Sequence, residues 1–301
     1  MARAHHQDIR LGTMVPGKET TKSYLEQIQP HGFECYELNF WRTLGEVSLP
    51  RLANEIRPVL DAGGQFISCL GIYGNPLGDD ELDEQTRQGW EAAIDHAADF
   101  GCRLVCGFTG RVRGASIPDS IQRYREVFGP LADRAGEKGV RLAFENCPMN
   151  GNWCAGDWNL AHNPDAWQLI FNALPHENLG LEWEPCHQMT QLIDPLPQIR
   201  EWGHKFFHLH GKDATIRWDL VKKHGVYGKE AFVHHRTPGF GDTNWTDVIS
   251  ELRMVGYTGT IDIEGWHDPV YRDELEMTGQ MHGLNYLKHC RGGAYVANPD
   301  V

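Results

Sequence analysis

Short apolar segments alternate with longer amphipathic segments along almost the whole 301-residue chain. The short segments are rich in β-branched and apolar residues, as buried parallel strands are, and the longer ones have the periodicity of helices that bury one face. The predicted strands are 9–14, 35–38, 65–70, 103–107, 141–145, 179–182, 206–210 and 260–264. Strict strand–helix alternation indicates a parallel sheet, and eight strands are the number that closes a (β/α)8 barrel.

The predicted helices have consistent boundary signals. They are clearest at 80–100, 116–138, 163–173, 245–255 and 272–290, and weaker at 19–29, 49–62 and 194–202. Gly101 and Gly139 each follow a helix and precede a strand, where a left-handed residue commonly ends a helix. Asn163 followed by Pro164 has the chemistry of a helix start. We predict a single TIM-barrel domain over residues 1–301. The alternative is an open doubly wound sheet, but no nucleotide-binding glycine motif follows any strand.

One segment, residues 213–242, is too long for an ordinary connection after the seventh strand. It contains several aromatic residues and the basic run His234-His235-Arg236. Its aromatic content predicts an ordered loop, which we interpret as a lid over the site.

Composition excludes some functions. The formal net charge of -13 opposes nucleic-acid binding, because such binding depends on lysine and arginine neutralising phosphates. No apolar run approaches the ~20 residues needed to cross a membrane. Residues 1–10 are polar and basic, without the apolar stretch of a secretory signal, so we expect a cytoplasmic protein. The 8 cysteines include no CxxC pair and are expected to be buried free thiols.

Four successive strand ends carry a carboxylate or an imidazole. Glu145 ends the fifth strand, Glu184 follows the sixth, His210 ends the seventh and Glu264 ends the eighth. Active sites of such barrels lie at the carboxyl ends of the strands, so these groups are expected to converge. Three carboxylates and one imidazole suit Mn²⁺, Mg²⁺ or Co²⁺. Taken singly, each residue is more simply a solvated loop group or a core histidine, and the prediction depends on their joint placement.

The order of these motifs resembles the xylose-isomerase-like superfamily, and within it the bacterial sugar phosphate isomerase/epimerase group. The resemblance rests on 145–148 (Glu-Asn-Cys-Pro), 184–187 (Glu-Pro-Cys-His), 208–213 (His-Leu-His-Gly-Lys-Asp), 238–242 (Pro-Gly-Phe-Gly-Asp) and 263–264 (Ile-Glu). It implies that Glu145, Glu184, His210 and Glu264 are metal ligands, with Mn²⁺ as the first expectation, and that His187 contacts the substrate. The family usually has aspartate where this chain has Glu184, so Glu182 is a rival ligand.

The resemblance also implies a reaction, namely proton abstraction next to a carbonyl through an enediolate. Glu145 and Glu264 would remove and return the proton, with His187 as a further catalytic group. Lys212, Arg236 and Trp158 are expected to contact the sugar, with Trp41 and Trp266 as further apolar walls. Arg111, Lys212 and Arg236 are the candidates for binding a phosphate. Asp213 is expected to hold Lys212 or a ligand histidine.

Other functions stay open at this stage. The same carbanion would also serve a lyase that cleaves a 3-keto-glycoside, as in C-glycoside deglycosidase catalytic subunits, or that dehydrates a keto-cyclitol. An endonuclease is disfavoured by the acidic charge, and a carbohydrate-binding barrel without catalysis would leave the four strand-end groups unexplained. The expected partner is a small sugar, keto-sugar or glycoside, and the chain could form a homo-oligomer or bind a small partner subunit.

Overall fold

Eight parallel strands close into a barrel in the computed structural model, which describes residues 8–293, Val296 and Pro299. The strands, numbered along the chain, are β1 (Arg10–Pro16), β2 (Cys35–Trp41), β3 (Phe66–Tyr73), β4 (Leu104–Gly107), β5 (Arg141–Glu145), β6 (Leu179–Trp183), β7 (Phe206–Gly211), β8 (Asp213–Ile216), β9 (Val233–Arg236) and β10 (Thr260–Ile263). Strands β1 to β7 are neighbours in sequence order, and β10 lies between β7 and β1 and closes the ring. The predicted (β/α)8 barrel is confirmed.

Each of the eight predicted helices is present. The helices are α1 (Thr21–Ile28), α2 (Leu49–Gly63), α3 (Glu81–His96), α4 (Ile117–Glu137), α5 (Pro164–Ala173), α6 (Pro185–Met189), α7 (Pro195–Trp202), α8 (Trp218–His224), α9 (Trp245–Met254) and α10 (Glu276–Arg291). Gly101 and Gly139 have φ values of +70° and +65°, as their places before strands require. The Asn163 side chain accepts a hydrogen bond from the Ala166 amide and begins α5. The short helices α6 and α8 were not predicted.

The main core lies between the strands and the surrounding helices and orients the strand-end side chains. Phe144 of β5 packs outward against Phe128 of α4, with ring centroids 4.9 Å apart, and Phe128 packs against Trp90 of α3 at 5.3 Å. Side chains alternate between the two faces of a strand. Glu145, which follows Phe144, therefore faces the inside of the barrel.

The long segment after β7 is ordered, but it is not a loop. Strands β8 and β9 form an antiparallel hairpin with α8 in its connection. Asp213 fixes the base of the hairpin, because its carboxylate accepts hydrogen bonds from the backbone amides of Ala214, Gly239 and Thr243. The expectation that Asp213 holds Lys212 or a ligand histidine is therefore wrong, since its acceptors are occupied by backbone.

Two further expectations concern the chain as a whole. All eight cysteines are free thiols, and seven are buried as expected, whereas Cys154 is exposed. Among the described helices, none combines the length and the apolar character that a membrane crossing requires. The prediction that residues 1–10 are not a secretory signal concerns mainly residues 1–7, which lie outside the described residues.

Candidate metal centre

Glu145, Glu184, His210 and Glu264 meet at the carboxyl ends of the barrel strands. Each offers one ligand atom, and these four atoms all lie within 4.8 Å of one another. All four side chains are buried. The structure thus brings together the four residues predicted as ligands from four separate strand ends.

Several atoms of this cluster lack a hydrogen-bond partner. Within residues 8–293, this holds for His210 Nδ1, Glu264 Oε2 and Glu184 Oε2. His210 Nδ1 lies 3.6 Å from Glu264 Oε2 and 3.9 Å from Glu145 Oε1. Buried polar atoms without partners are costly, and like-charged carboxylates repel one another. A divalent cation that prefers oxygen and imidazole ligands removes both costs, so the residues present fit such an ion.

The other edge of the His210 ring is held by carboxylates. His210 Nε2 lies 2.9 Å from Glu37 Oε2 and 3.2 Å from Glu182 Oε1. Burial lowers the pKa of His210, but Glu182 and Glu37 outweigh burial and raise this pKa well above its usual range. The carboxylates around the His210 ring therefore stabilise positive charge there. A cation bound at Nδ1 would supply such a charge in place of a proton.

Glu182, the rival ligand, belongs to a polar network deeper in the barrel. Its carboxylate accepts a hydrogen bond from Tyr73 Oη at 2.8 Å and lies 2.8 Å from His208 Nδ1. The other ring nitrogen of His208 lies 2.6 Å from Asp262 Oδ2. Both ring nitrogens of His208 therefore lie against carboxylates. Of the two alternating histidines of β7, His208 is the one in the polar core and His210 is the one at the metal centre. Glu184 is thus the better placed of the two candidate carboxylates.

Lys212 and His187 stand directly beside the cluster. Lys212 Nζ donates to Glu264 Oε1 at 2.8 Å and lies 3.3 Å from His187 Nε2. His187 Nε2 lies 2.8 Å from Glu184 Oε1 and 3.7 Å from Glu145 Oε1. Lys212 is almost fully buried, so its ammonium charge is compensated by these carboxylates.

Glu145 and Glu264 have opposite electrostatic surroundings. Burial raises the pKa of Glu145 well above its ordinary value, and the attraction of His210 does not offset this. Burial would also raise the pKa of Glu264, but Lys212 and His267 outweigh it and hold this pKa well below the usual range. Two carboxyl groups with pKa values shifted apart are a common arrangement for a proton donor and a proton acceptor.

A cavity of about 590 Å³ opens onto these groups. This size is in the range of small-molecule sites. Its lining includes seven residues predicted for the site, namely Glu145, His187, His210, Lys212, Glu264 and the two expected apolar walls Trp41 and Trp266. The other lining residues are Met14, Asn39, Tyr73, Phe108, Cys147, Pro148, Met149, Asn150, Thr190, His235 and His267.

Two predicted substrate contacts lie outside this lining. Trp158 stacks on Trp41, which lines the cavity, with ring centroids 6.0 Å apart. Arg236 donates from Nε to Asp268 at 3.0 Å. Their contact with substrate stays a prediction.

Each of the three cations predicted as candidates for phosphate binding has partners within the protein. The buried guanidinium of Arg111 donates to the backbone carbonyls of Ala115, Asn152 and Trp153. Arg236 pairs with Asp268, and Lys212 pairs with Glu264. Arg111 is therefore bound to the loops, whereas phosphate binding by Lys212 or Arg236 stays a prediction.

Sequence reasoning missed several residues that surround the centre. Glu37 and Tyr73 lie within hydrogen-bonding distance of His210 Nε2. His235 and His267 line the cavity. Glu37 could have been found, because a carboxylate inside the apolar strand β2 is unusual unless it has a buried partner. His235 comes from the hairpin, whose path over the barrel is not visible in any local pattern.

A family model described as "Xylose isomerase-like TIM barrel" matches residues 25–289. Two relatives are each 24% identical to this chain. "Uncharacterized protein YfiH" of Bacillus subtilis (strain 168) aligns over 70% of this chain and 74% of its own length. "Rhizopine catabolism protein MocC" of Rhizobium meliloti aligns over 79% of this chain and 72% of its own length.

Solved structures share the fold at lower identity. The apo form of the 3-keto-D-glucoside 4-epimerase YcjR from E. coli superimposes with a TM-score of 0.70 and 14% identity. The alignment covers 94% of this chain and 100% of the epimerase.

Proposed function

The chain belongs to the xylose isomerase-like TIM-barrel family, and on that premise we propose that it is a divalent-metal-dependent sugar isomerase or epimerase. The observation that carries the proposal is the convergence of Glu145, Glu184, His210 and Glu264 within 4.8 Å at one mouth of the barrel. The similarity in fold to a sugar epimerase from E. coli supports sugars as the substrate class.

These four side chains would hold the cation. Three carboxylates and one imidazole suit Mn²⁺ first, with Mg²⁺ or Co²⁺ as alternatives. When bound, the ion would supply Lewis-acid chemistry to the carbonyl group of the sugar. The proposed setting is the cytoplasm, where free thiols such as the eight in this chain persist.

Glu145 and Glu264 are the proposed proton carriers. They come from β5 and from the end of β10, which are separated in the barrel by β6 and β7, and both line the cavity. One carboxylate removes the proton from the carbon next to the carbonyl, and the other carboxyl group returns a proton. Return to the opposite face of the same carbon inverts it, whereas return to the former carbonyl carbon exchanges aldose and ketose.

Lys212 and His187 would orient the substrate and stabilise charge. The Lys212 ammonium donates to Glu264 Oε1 and so fixes that carboxylate. Its positive charge also lies where negative charge develops on the sugar oxygens, which is the main electrostatic requirement of an enediolate reaction. Phe108 and Tyr73 line the same cavity and would limit access of water to the reacting carbon.

Isotope exchange tests this function directly. Purified protein loaded with Mn²⁺ is incubated in D₂O with a panel of ketoses, aldoses and keto-glycosides, and the sugars are analysed by NMR spectroscopy. We expect deuterium at one carbon, and loss of incorporation in Glu145→Gln and Glu264→Gln. Glu137→Gln, at an exposed position on α4, is the matched control. Absence of exchange with every sugar, in protein shown to contain metal, would refute the proposal.

A lyase acting on a 3-keto-glycoside or a keto-cyclitol is the second candidate. It uses the same proton abstraction but expels a group from the neighbouring carbon. The name of one similar protein, a 3-keto-D-glucoside 4-epimerase, supports a 3-keto-glycoside as the substrate for such a reaction. Release of an aglycone or of water without return of the proton would identify the lyase, whereas exchange with retention of the whole substrate would identify the epimerase.

A further inference from the structure

A second cavity of about 610 Å³ adjoins the candidate metal centre. We call it the side chamber. It is formed by the loop after β1, the end of β2, the loop between β2 and α2, and Trp266. Four residues line both cavities, namely Met14, Asn39, Trp41 and Trp266. The two spaces therefore adjoin one another at these four residues.

The wall of the side chamber is mainly apolar. Val15 and Phe40 border it but are almost completely buried, so Pro16, Leu44, Val47 and the two shared tryptophans provide its accessible apolar surface. Such a lining offers contact area to a ring or to another apolar group, and few hydrogen bonds.

The shared tryptophans are exposed at the junction. Trp41 is 60% exposed and Trp266 is 38% exposed, although indole rings are usually largely buried. Trp41 is also held in place, because it stacks on Trp158, whose ring lies 5.1 Å from the guanidinium carbon of Arg42. A rigid, exposed aromatic face beside a reaction site is the kind of surface that a ligand covers.

The charged residues of the chamber lie at its rim. Lys18, Glu19 and Glu46 are exposed there and carry opposite signs. Within the described lining, the side chamber contains no buried cation or carboxylate. An uncharged occupant is therefore favoured over a phosphate or a carboxylate group.

We propose that the side chamber binds an apolar ring attached to the sugar, so that the natural substrate is an aryl glycoside whose sugar ring carries a ketone, rather than a free monosaccharide. This inference rests on the proposed function, because it assumes that the sugar ring lies at Glu145 and Glu264. A second sugar ring is a poorer occupant. It would need several hydrogen-bonding groups, and the inner lining of the chamber offers chiefly Asn39 and Thr43.

Binding of matched glycosides tests the inference separately from catalysis. The phenyl and methyl β-glycosides of glucose, galactose and xylose are titrated against the metal-loaded protein, and dissociation constants are measured by calorimetry. We expect the phenyl glycoside to bind at least 10-fold more tightly than its methyl counterpart in at least one series. Equal affinity in all three series would overturn the inference, as would a disaccharide that binds more tightly than every phenyl glycoside.

Variants locate the effect. Thr43→Trp is expected to fill the chamber, and Trp41→Ala to remove its wall, so both should bring the phenyl-to-methyl ratio close to 1. Trp153→Ala is the control, because Trp153 has the same 38% exposure as Trp266 but lines neither cavity. Thermal midpoints establish that each variant is folded. A ratio that survives both Thr43→Trp and Trp41→Ala would place the phenyl group elsewhere and refute the inference.

The two proposals fail in different ways. Tighter binding of phenyl glycosides without deuterium exchange would support the proposed role of the side chamber and refute the proposed isomerase or epimerase function. Deuterium exchange into free sugars without tighter binding of phenyl glycosides would support the proposed isomerase or epimerase function and refute the proposed role of the side chamber.

Discussion

His210 Nε2 lies 2.9 Å from Glu37 Oε2, on the edge of the ring opposite to the nitrogen that faces Glu145 and Glu264. A carboxylate that accepts from one ring nitrogen fixes the orientation of the imidazole and makes the other nitrogen a stronger ligand. Glu37 is therefore a positioning residue for the proposed metal site. It reaches His210 from β2, across the barrel from β7.

Replacement of Glu37 should weaken metal binding without removing a ligand. In Glu37→Gln the amide can still accept a hydrogen bond, but the negative charge is lost, so we expect Mn²⁺ affinity to fall about 10- to 100-fold. Calorimetric titration of the metal-free protein measures this. Glu34→Gln is the control, because Glu34 precedes the same strand but pairs with Arg291 away from the site. Unchanged affinity in Glu37→Gln would show that His210 needs no such support.

Arg111 should contribute to stability rather than to phosphate recognition. Its guanidinium is buried and donates to three backbone carbonyls of the loops after β4 and β5. Arg111→Leu leaves these acceptors unpaired, so we expect the free energy of unfolding to fall by about 3 kcal/mol. Urea denaturation measures the change.

Two comparisons separate this role from a phosphate site. Arg123→Leu removes a partly exposed arginine of α4 that pairs with Glu126, and should change stability by less than about 1 kcal/mol. The ratio of activities on phosphorylated and unphosphorylated forms of one sugar should be the same in wild type and Arg111→Leu. A selective loss of the phosphorylated substrate would contradict the assignment.

The barrel and the four converging strand-end residues could be predicted from the sequence because both depend on local periodicity. Strand ends of a closed parallel barrel share one rim, so Glu145, Glu184, His210 and Glu264 could be grouped without coordinates. The hairpin of β8 and β9 could not, since its four-residue strands have no clear alternation. Glu37 positions His210, and Arg111 donates to backbone carbonyls of a distant loop. Both roles depend on contacts between residues far apart in the chain, so they cannot be predicted from the spacing of residues in the sequence.

The Asp213 carboxylate should control the order of the hairpin. It accepts from the amides of Gly239 and Thr243, and an added Cβ at Gly241 would clash with Asp213 Oδ1. Asp213→Ala leaves buried amides unpaired, which costs about 1–3 kcal/mol. We expect faster hydrogen exchange in residues 214–242, with barrel strands β1 to β6 unchanged. Asp219→Ala on exposed α8 is the matched control, and equal exchange in the two variants would contradict this role.

His235 should make the protein sensitive to acid. Burial, and then the positive charge of Lys212, lower the pKa of His235 to about 3. In the unfolded chain the pKa is about 6.5. As the pH falls below about 6.5, the unfolded state binds a proton at this ring and the folded state does not. Stability is therefore lost from about pH 6.5 downwards, until the folded pKa is reached.

The His235→Gln variant isolates this contribution, because glutamine does not titrate. Between pH 6 and pH 4.5, wild type should lose up to about 1.4 kcal/mol more per pH unit than the variant. Urea denaturation in the presence of EDTA keeps the two proteins in the same metal-free state. His204→Gln, at the end of the barrel away from the cavity, is the comparison variant for the loss of an imidazole. Parallel pH dependence in wild type and His235→Gln would mean that His235 gains its proton in the folded protein as readily as in the unfolded chain, and so is more hydrated than its place beside Lys212 implies.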